Sequence, residues 1–379
     1  MVGGEWDEDR VYAGSENRGQ GGLGVQRFDP GWVDQGVNPV PRGKSLKVTV
    51  LMSCYNASRW LHEAIESVLC QTFGNFEFIL VDDGSTDETW DIIRAYRYRD
   101  QRIVPIRKEN TGLQDSLNMG IAHARGEWIA RLDADDLCEP DRLAEQLRYI
   151  HYHPEIVLLG AGFVEIDAQG RSVKKQLYPS GHRELLCNLG RLQRFFPHSS
   201  AFFRRDIAQD VGLYNRLFRK SQDWDLWLRF AERGRIACVR NCLVRVRKHS
   251  EQISNSTAGT SQLVYGTAAS TCHFLRIDGC PDPSADSDET AWKGFLEWIE
   301  GQMTEEGALE KRKVWADARD EYFATNNRMI GAFQFGTRLL HSGHAVALTW
   351  EKVFGSSLPK RLAREWIKRS CADSETNDP

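Results

Sequence analysis

The sequence lacks any apolar run that approaches the length of about 18 residues needed by a transmembrane helix. Its glycine-rich N-terminal segment lacks the basic-then-apolar layout of a secretory signal. It also lacks an excess of charge of one sign, because 49 Lys and Arg residues face 53 Asp and Glu residues, for a net charge of -4. These absences predict a cytoplasmic protein with no general electrostatic attraction to nucleic acid or to an anionic membrane.

Paired cysteines and phosphate-binding glycine loops are missing as well. The 9 cysteines include no CxxC pair, which excludes a disulfide framework and a thiolate zinc site, so most should be small buried residues. The first apolar run is followed by "SCYNAS", without the glycines of a dinucleotide-binding turn or a P-loop. A ligand that carries phosphate would therefore need another partner, such as a metal ion.

The sequence does contain a regular alternation of short apolar runs and amphipathic segments, which begins at Lys47. Runs such as "VTVLM" and "FIL" are apolar on both faces of a strand, as expected for strands buried between two layers of helices. The alternation predicts an α/β fold with a mainly parallel sheet flanked by helices, and a hairpin at residues 168–170.

Changes in composition divide the chain into four segments. The first has little apolar periodicity and is expected to be disordered, whereas the third has a helical pattern and the last is too polar to fold. The predicted boundaries are 1–44 for the extension, 45–258 for the α/β domain, 259–372 for a helical C-terminal appendage and 373–379 for a flexible tail.

Acidic residues follow two of the predicted strands, Asp82 in "VDDGSTDET" and Asp133, Asp135 and Asp136 in "RLDADDL". Right-handed crossovers should bring these strand ends to one edge of the sheet, where ligands bind in such folds. Carboxylates in one place repel one another unless a cation compensates, and Mg2+ or Mn2+ would do so. A buried Asp82 would need donors, which a uridine or ribose could supply. The alternative is that the aspartates are helix caps and turn residues.

Two polar residues outside these clusters are also candidates. Asp223 lies in the first turn of the amphipathic helix "DWDLWLRFAERG", and His249 follows the apolar segment "IACVRNCLVRVRK". Each has a structural alternative, as a cap stabilised by the helix dipole or as a surface histidine. The basic residues before His249, Arg247 among them, are expected to be solvated strand positions.

Four motifs in succession carry a resemblance to a known family. They are "VTVLMSCYNASRWLHEAIESVLCQTFGNFEFILVDDGSTDET", "NTGLQDSLNMGIAHARGEWIARLDADD", "PHSSAFFRRD" and "SQDWDLWLR". Over about residues 46 to 255 the chain resembles the family 2 glycosyltransferases. The resemblance implies a Rossmann-like GT-A fold and an inverting transfer from a nucleoside-diphosphate sugar, with UDP the expected nucleotide, to a saccharide or lipid-linked acceptor in polysaccharide or glycolipid biosynthesis.

The resemblance also implies roles for individual residues. Those expected at the nucleotide sugar are Ser53, Tyr55, Asp82 and Asp133; those expected at a Mn2+ or Mg2+ ion are Asp135 and His249; the expected catalytic base is Asp223. The chain departs from the family pattern at Gln222, where a glutamate is usual, and at Leu117, where many members have arginine.

Expectations for the acceptor and for a membrane come from residue chemistry. His198, Trp224 and Trp227 are candidates for the acceptor side, because aromatic faces stack on sugar rings. The basic segment "LPKRLAREWIKR" is a candidate for peripheral membrane contact, with Leu362 and Trp366 entering the interface; an ordinary packed helix is the alternative.

Two other classes of protein remain open from the sequence alone. A metal-dependent nucleotidyltransferase would also use paired acids on an α/β sheet, although it usually has a glycine-rich basic loop after its first strand. A non-catalytic nucleotide-sugar-binding protein could share the fold, but the presence of Asp223 together with Asp133 and Asp135 argues against it.

Overall fold

The computed structural model describes residues 47–193, 195–249, 260–285, 288–305, 307, 309 and 358–375. The predicted extension at 1–44 lies outside the described residues, as does most of the predicted helical segment between 308 and 327.

The described strands and helices follow the alternation of the sequence. The strands are β1 (Val48–Cys54), β2 (Phe76–Asp83), β3 (Ile103–Lys108), β4 (Trp128–Arg131), β5 (Leu137–Cys138), β6 (Ile156–Ile166), β7 (Ser172–Gln176), β8 (Phe202–Arg204) and β9 (Arg235–Arg247). The helices are α1 (Ser58–Leu69), α2 (Thr89–Arg99), α3 (Leu113–His123), α4 (Arg142–Tyr152), α5 (His182–Gly190), α6 (Arg205–Asp210), α7 (Gln222–Ala231), α8 (Thr260–Ile277), α9 (Glu289–Glu305) and α10 (Leu358–Glu375).

The strands form one sheet in the order β3-β2-β1-β4-β8-β6-β9-β5, with β7 paired to β6 in the predicted hairpin. The first four strands are parallel. The second half is mixed, because β8 runs antiparallel to β4 and β6, while β6 and β9 are parallel to each other. The ends of β1, β2, β4 and β9 and the start of β8 therefore lie along one edge, which we call the ligand edge.

Helices cover both faces of this sheet. On one face α1, α2 and α4 pack over a core that includes Val50, Phe78 and Ile65. On the other face the core includes Leu51 and Ile129 of the sheet together with residues of α3, α5, α7, α8, α9 and α10. The helical C-terminal region is thus present and completes the second core, while the predicted division at residue 258 stays a prediction.

The last helix differs from expectation at two points. It continues to Glu375, so the flexible tail predicted from residue 373 begins within a helix. Leu362 is 0% exposed, and the ring of Trp366 lies 4.8 Å from Phe295 and 5.0 Å from Trp298. Leu362 is thus buried in the protein, which corrects the expectation that it enters a membrane interface, whereas Trp366 packs on the protein only in part and its membrane contact stays a prediction. No helix in the described ranges has the length and apolar character to span a bilayer.

Candidate active site

The ligand edge brings Asp135, after β4, to His249, after β9. Oδ2 of Asp135 lies 2.9 Å from Nε2 of His249. The histidine ring packs against Trp60 of α1, with ring centroids 4.1 Å apart, and this contact limits how the ring can turn. Burial and the negative charge of Asp133 raise the pKa of Asp135. Both residues predicted to hold a metal are therefore neighbours.

Arg247 holds this part of the site together. Its backbone N–H donates to Oδ1 of Asp136 at 2.8 Å, its Nε donates to the carbonyl of Asp135 at 3.0 Å, and its Nη2 donates to Glu63 at 2.8 Å. The residue is 1% exposed. The sequence-based expectation that Arg247 is a solvated strand position is wrong, because its guanidinium binds the acidic loop instead of water.

A second arginine that the sequence did not single out is Arg131, the last residue of β4. It is 2% exposed, and its guanidinium pairs with both oxygens of Asp133. Ser199 lies beside this pair, and its Oγ is 2.8 Å from Oδ2 of Asp133. The side chain of Asp133 is still 39% exposed, so it can meet a ligand while Arg131 fixes its direction. In the sequence, the signal for this residue was a charged side chain at the end of the otherwise apolar strand "WIAR".

The third aspartate of the motif, Asp136, has a structural role. It is 3% exposed and its two oxygens are engaged by the Arg247 backbone and the Ser199 hydroxyl. Burial, with the charges of Asp135 and Asp133, raises its pKa well above the usual value. The buried carboxyl therefore links the loop that follows β4 with two other parts of the chain, the end of β9 and the turn before β8.

The chemistry and spacing of these residues decide whether they suit a divalent metal. Among the described residues, Asp133, Asp135 and Asp136 offer oxygens within 4.8 Å of one another. Asp136 is committed to protein donors and Asp133 to Arg131, whereas Asp135 and His249 face each other. Two neighbouring ligands of an octahedral ion with bonds of about 2.1 Å are about 3 Å apart. Oxygen from Asp135 and nitrogen from His249 therefore fit Mn2+ or Mg2+.

The nucleotide-binding candidates lie at the ends of β1 and β2. Tyr55 is 52% exposed and Ser53 is half-buried. Asp82 is 0% exposed; the Ser85 N–H donates to its Oδ1 at 3.2 Å, and Arg107 Nε forms an ion pair with its Oδ2 at 3.1 Å. Within the described residues Oδ2 accepts no hydrogen bond, so the expectation that a nucleotide supplies a donor to Asp82 stays a prediction.

The loops around these residues are tied to one another. Asn56 has a left-handed backbone, with φ of 48°, and its Oδ1 accepts the Thr86 N–H at 2.9 Å. Asp83 accepts the N–H groups of Thr111 and Gly112, each at 3.0 Å, at the start of α3. Gly84, with φ of 72°, lies so close to the loop between β3 and α3 that a Cβ on it would come 2.7 Å from the Asn110 backbone nitrogen. The loops after β1, β2 and β3 thus form one connected rim.

Asp223 lies in the first turn of α7, on the second face of the sheet. Its Oδ1 accepts the Trp224 N–H at 3.0 Å, which holds the carboxylate at the positive end of the helix. Burial raises the pKa of Asp223, while the Trp224 N–H and the nearby charge of Arg131 oppose this rise. A carboxylate with a raised pKa is a stronger base when ionised. Gln222 begins the helix without adding a second carboxylate.

His198 lies on the turn that precedes β8. Its Nε2 is 2.7 Å from the hydroxyl of Tyr214, a residue on which the charge of Asp223 acts. Burial, with the charge of Arg131, lowers the pKa of His198 well below its usual value, so its imidazole is neutral. His198 can therefore orient a hydroxyl group but does not carry a positive charge.

The two tryptophans of α7 are buried to different extents. Trp227 is 1% exposed and packs among Phe196, Phe203 and Phe230, so no sugar ring can reach its face; this placement corrects the acceptor contact expected for it. Trp224 is half-buried, and its indole N–H donates to the Leu189 carbonyl at 2.9 Å.

The family departure at Leu117 is explained by burial. Leu117 is 0% exposed and belongs to the core under α3, so its side chain makes no contact at the ligand edge. The following Asn118 binds the backbone of Tyr214 instead, with Nδ2 2.8 Å from the Tyr214 carbonyl. This position therefore supports the site through Tyr214.

Comparisons with known proteins show to which family the chain is similar. The family described as Glycosyl transferase family 2 matches residues 49–212. The putative glycosyltransferase EpsE of Bacillus subtilis is 37% identical over 210 residues, which cover 54% of this chain and 74% of that protein. The amylovoran biosynthesis glycosyltransferase AmsE of Erwinia amylovora is 33% identical over 212 residues, covering 54% of this chain and 78% of that protein.

A solved structure extends the likeness to most of the chain. S. aureus TarS 1–349, in a crystal structure in complex with UDP-GlcNAc, has a TM-score of 0.52 at 15% identity, covering 85% of this chain and 92% of that chain. At this identity the likeness shows the fold alone. The expected α/β architecture with a helical C-terminal region is confirmed.

Proposed function

The chain belongs to glycosyltransferase family 2, as its motifs indicated, and from this premise we propose that it is an inverting enzyme that uses a UDP-linked sugar. Family membership makes it a glycosyltransferase of the GT-A fold and sets aside the nucleotidyltransferase alternative. The observation that carries the proposal is the pairing of Asp135 with His249 on the ligand edge, with Asp223 in the electrostatic field of Arg131 and Asp133.

The donor site is proposed along the rim of connected loops. Tyr55 is exposed after the end of β1 and offers a ring to the base, while Ser53 and Asp82 lie near the ends of the neighbouring strands β1 and β2. Asp133, held by Arg131, would accept hydrogen bonds from the ribose hydroxyl groups. The choice of UDP is supported by the solved complex of TarS with UDP-GlcNAc.

Asp135 and His249 are proposed to hold the Mn2+ or Mg2+ ion. When bound, such an ion supplies Lewis-acid stabilisation of the diphosphate that leaves. The protein residues fix the ligands beforehand, since Trp60 packs against the His249 ring and Arg247 holds the Asp135 backbone. This arrangement places the two ligand atoms close together before the donor arrives.

Asp223 is proposed to take the proton from the acceptor hydroxyl while that oxygen attacks the anomeric carbon. A direct displacement of this kind inverts the configuration and needs one base. It does not need the second carboxyl group that a glycoside hydrolase uses. His198 and Trp224 remain the proposed acceptor-side residues.

The acceptor is proposed to be a hydroxyl group of a saccharide or a lipid-linked saccharide. The relative named for amylovoran biosynthesis supports a role in polysaccharide or glycolipid biosynthesis. A cytoplasmic enzyme that meets lipid-linked acceptors would contact the membrane surface, and α10 exposes Arg361, Arg364, Lys368 and Arg369 toward solvent. We propose an electrostatic contact through these side chains.

Vesicle flotation tests that contact. The protein should float with vesicles that contain anionic lipid at low salt and should be released at high salt. A chain with Arg364→Glu and Lys368→Glu should stay in solution. Equal flotation of the variant and the parent protein would contradict the contact.

The function itself is tested in two steps. Thermal shifts are measured with UDP, GDP and dTDP, each with and without Mn2+, and only UDP should give a large metal-dependent shift. A panel of UDP sugars is then screened for slow hydrolysis, and the anomeric configuration of the released sugar is followed by NMR. If none of the three nucleotides gives a metal-dependent shift, the proposal is contradicted. Release of a sugar that retains the anomeric configuration of the donor would also contradict it.

A further inference from the structure

Helix α7, which carries Asp223, is fastened to α8 at both ends. At its start, Oγ of Ser221 donates to the carbonyl of Gln262 at 2.9 Å. At its end, Glu232 accepts from His273 Nδ1 at 2.6 Å and from Arg276 at 2.9 Å. The two contacts lie at opposite ends of α7, so together they set the direction of the helix as well as its position.

The contact at the start of α7 has an unusual form. A serine that precedes a helix commonly uses its side-chain oxygen to accept an N–H of the first turn. Here Ser221 makes no such bond, and its hydroxyl points to α8 instead. The first-turn N–H of Trp224 is bound by Asp223, so the side chain of the proposed base caps its own helix.

The backbone of Ser221 is also special. Its φ of 52° and ψ of 29° place it in the left-handed region, which costs a residue other than glycine about 1 kcal/mol or more. Such a conformation persists only where the surroundings hold it. Gly266 of α8 lies beside this serine, and a Cβ there would be in ordinary van der Waals contact with Ser221 Oγ, at 3.8 Å.

We infer that Ser221 is a positioning residue for Asp223, and that α8 orients the catalytic base through the hydrogen bond between Ser221 Oγ and the Gln262 carbonyl. The inference rests on the proposed function of Asp223 and goes beyond it, because it makes a helix of the C-terminal region part of the catalytic arrangement. Loss of the bond leaves the left-handed backbone without its support, so the first turn of α7 loosens and the carboxylate loses its direction.

The test compares Ser221→Ala and Ser221→Gly with Ser270→Ala. Alanine loses the hydrogen bond and keeps the cost of the left-handed backbone, whereas glycine loses the bond without that cost. Ser270 is the matched control, because its Oγ links α8 to the Leu189 carbonyl at 3.2 Å and leaves the Ser221 bond intact. The measurements are kcat for hydrolysis of the donor found in the panel, the Kd for UDP with Mn2+, and amide hydrogen exchange in α7.

We expect kcat to fall at least about tenfold in both Ser221 variants, with the UDP Kd within about twofold of the parent value. Exchange at the Trp224 and Asp225 amides should become faster, and Ser221→Gly should melt at a higher temperature than Ser221→Ala. In Ser270→Ala, kcat and these two amides should be unchanged.

Two outcomes separate the inference from the function on which it rests. Full kcat in both Ser221 variants, beside an inactive Asp223→Asn enzyme, would overturn the inference and keep the function. Faster exchange in the Ser221 variants, beside an Asp223→Asn enzyme that keeps its turnover, would overturn the assignment of the base while the mechanical link from α8 to α7 stands.

Discussion

Oδ2 of Asp135 and Nε2 of His249 lie 2.9 Å apart, although 114 residues separate them in the chain. The parallel course of β4 and β9 explains the approach, since both strands end at the ligand edge. This spacing suits two adjacent ligands of one ion and supports the first prediction.

Replacement of His249 by alanine should weaken Mn2+ binding at least about tenfold, because one of two proposed protein ligands is lost. Titration calorimetry of Mn2+ into the protein with saturating UDP measures the change. Asp135→Ala should act in the same direction, whereas the exposed Asp141→Ala should not. Unchanged Mn2+ affinity in the His249 variant would remove it from the metal site.

Replacement of Asp223 by asparagine should lower kcat about 10²- to 10⁴-fold, because the acceptor hydroxyl loses its base. The Kd for UDP with Mn2+ should stay about the same, since the proposed contacts of the nucleotide do not include Asp223. The control is Asp91→Asn, another first-turn aspartate on an exposed helix. Turnover close to that of the parent enzyme would exclude Asp223 as the base.

The pH dependence of kcat should show loss of activity on the acid side at a pH above the usual carboxyl value of 3.8, because burial raises the pKa of Asp223. The base works only when ionised, so activity falls as pH decreases through this raised pKa. UDP binding measured over the same pH range separates this effect from loss of the donor. An acid limb at or below 3.8 would contradict the assignment.

The stabilisation given by Mn2+ should increase with pH. Asp135 and Asp136 have folded-state pKa values above the usual 3.8, so their contribution to stability is fully present below 3.8 and is lost as pH rises through the folded values. A bound cation favours the ionised carboxylates and offsets that loss. The difference in Tm with and without Mn2+, at pH 5 and pH 8, checks the prediction. A shift that is equal or larger at pH 5 would contradict it.

Replacement of Gly84 by alanine should reduce the free energy of unfolding by about 1–3 kcal/mol and weaken UDP binding. The backbone there has φ of 72°, and the new Cβ would come 2.7 Å from the Asn110 nitrogen. Gly74→Ala is the control, because a Cβ at that position meets nothing within 4 Å. Urea denaturation and UDP titration measure both effects, and equal results for the two variants would show that the rim tolerates the change.

The sequence predicted the order of strands and helices well, because its apolar runs and capping residues are local signals. It also placed Asp82, Asp133 and Asp135 on one edge, since parallel strands end together. The antiparallel insertion of β8 between β4 and β6 has no such local signal. The position of β8 depends on its pairing with β4 and β6, which are distant from it in the sequence.

The supporting residues were harder to find. Arg131 and Arg247 are charged, and charged residues are usually solvated, yet both are buried because carboxylates and carbonyls surround them. Trp227 follows Trp224 by less than one helical turn, but only the structure shows that one ring lies in the core and the other at its margin. Periodicity indicates which side of a helix is apolar and does not indicate how deeply it packs.

The core shared by the sheet and helices α8, α9 and α10 limits how this enzyme can be re-engineered. A chimera that joins its donor-binding half to the acceptor half of a relative would cut through that core. It would expose Leu51 and Ile129, and it would separate α7 from α8. Exchange of substrate specificity is therefore better attempted by point changes on the rim loops than by recombining segments of the chain.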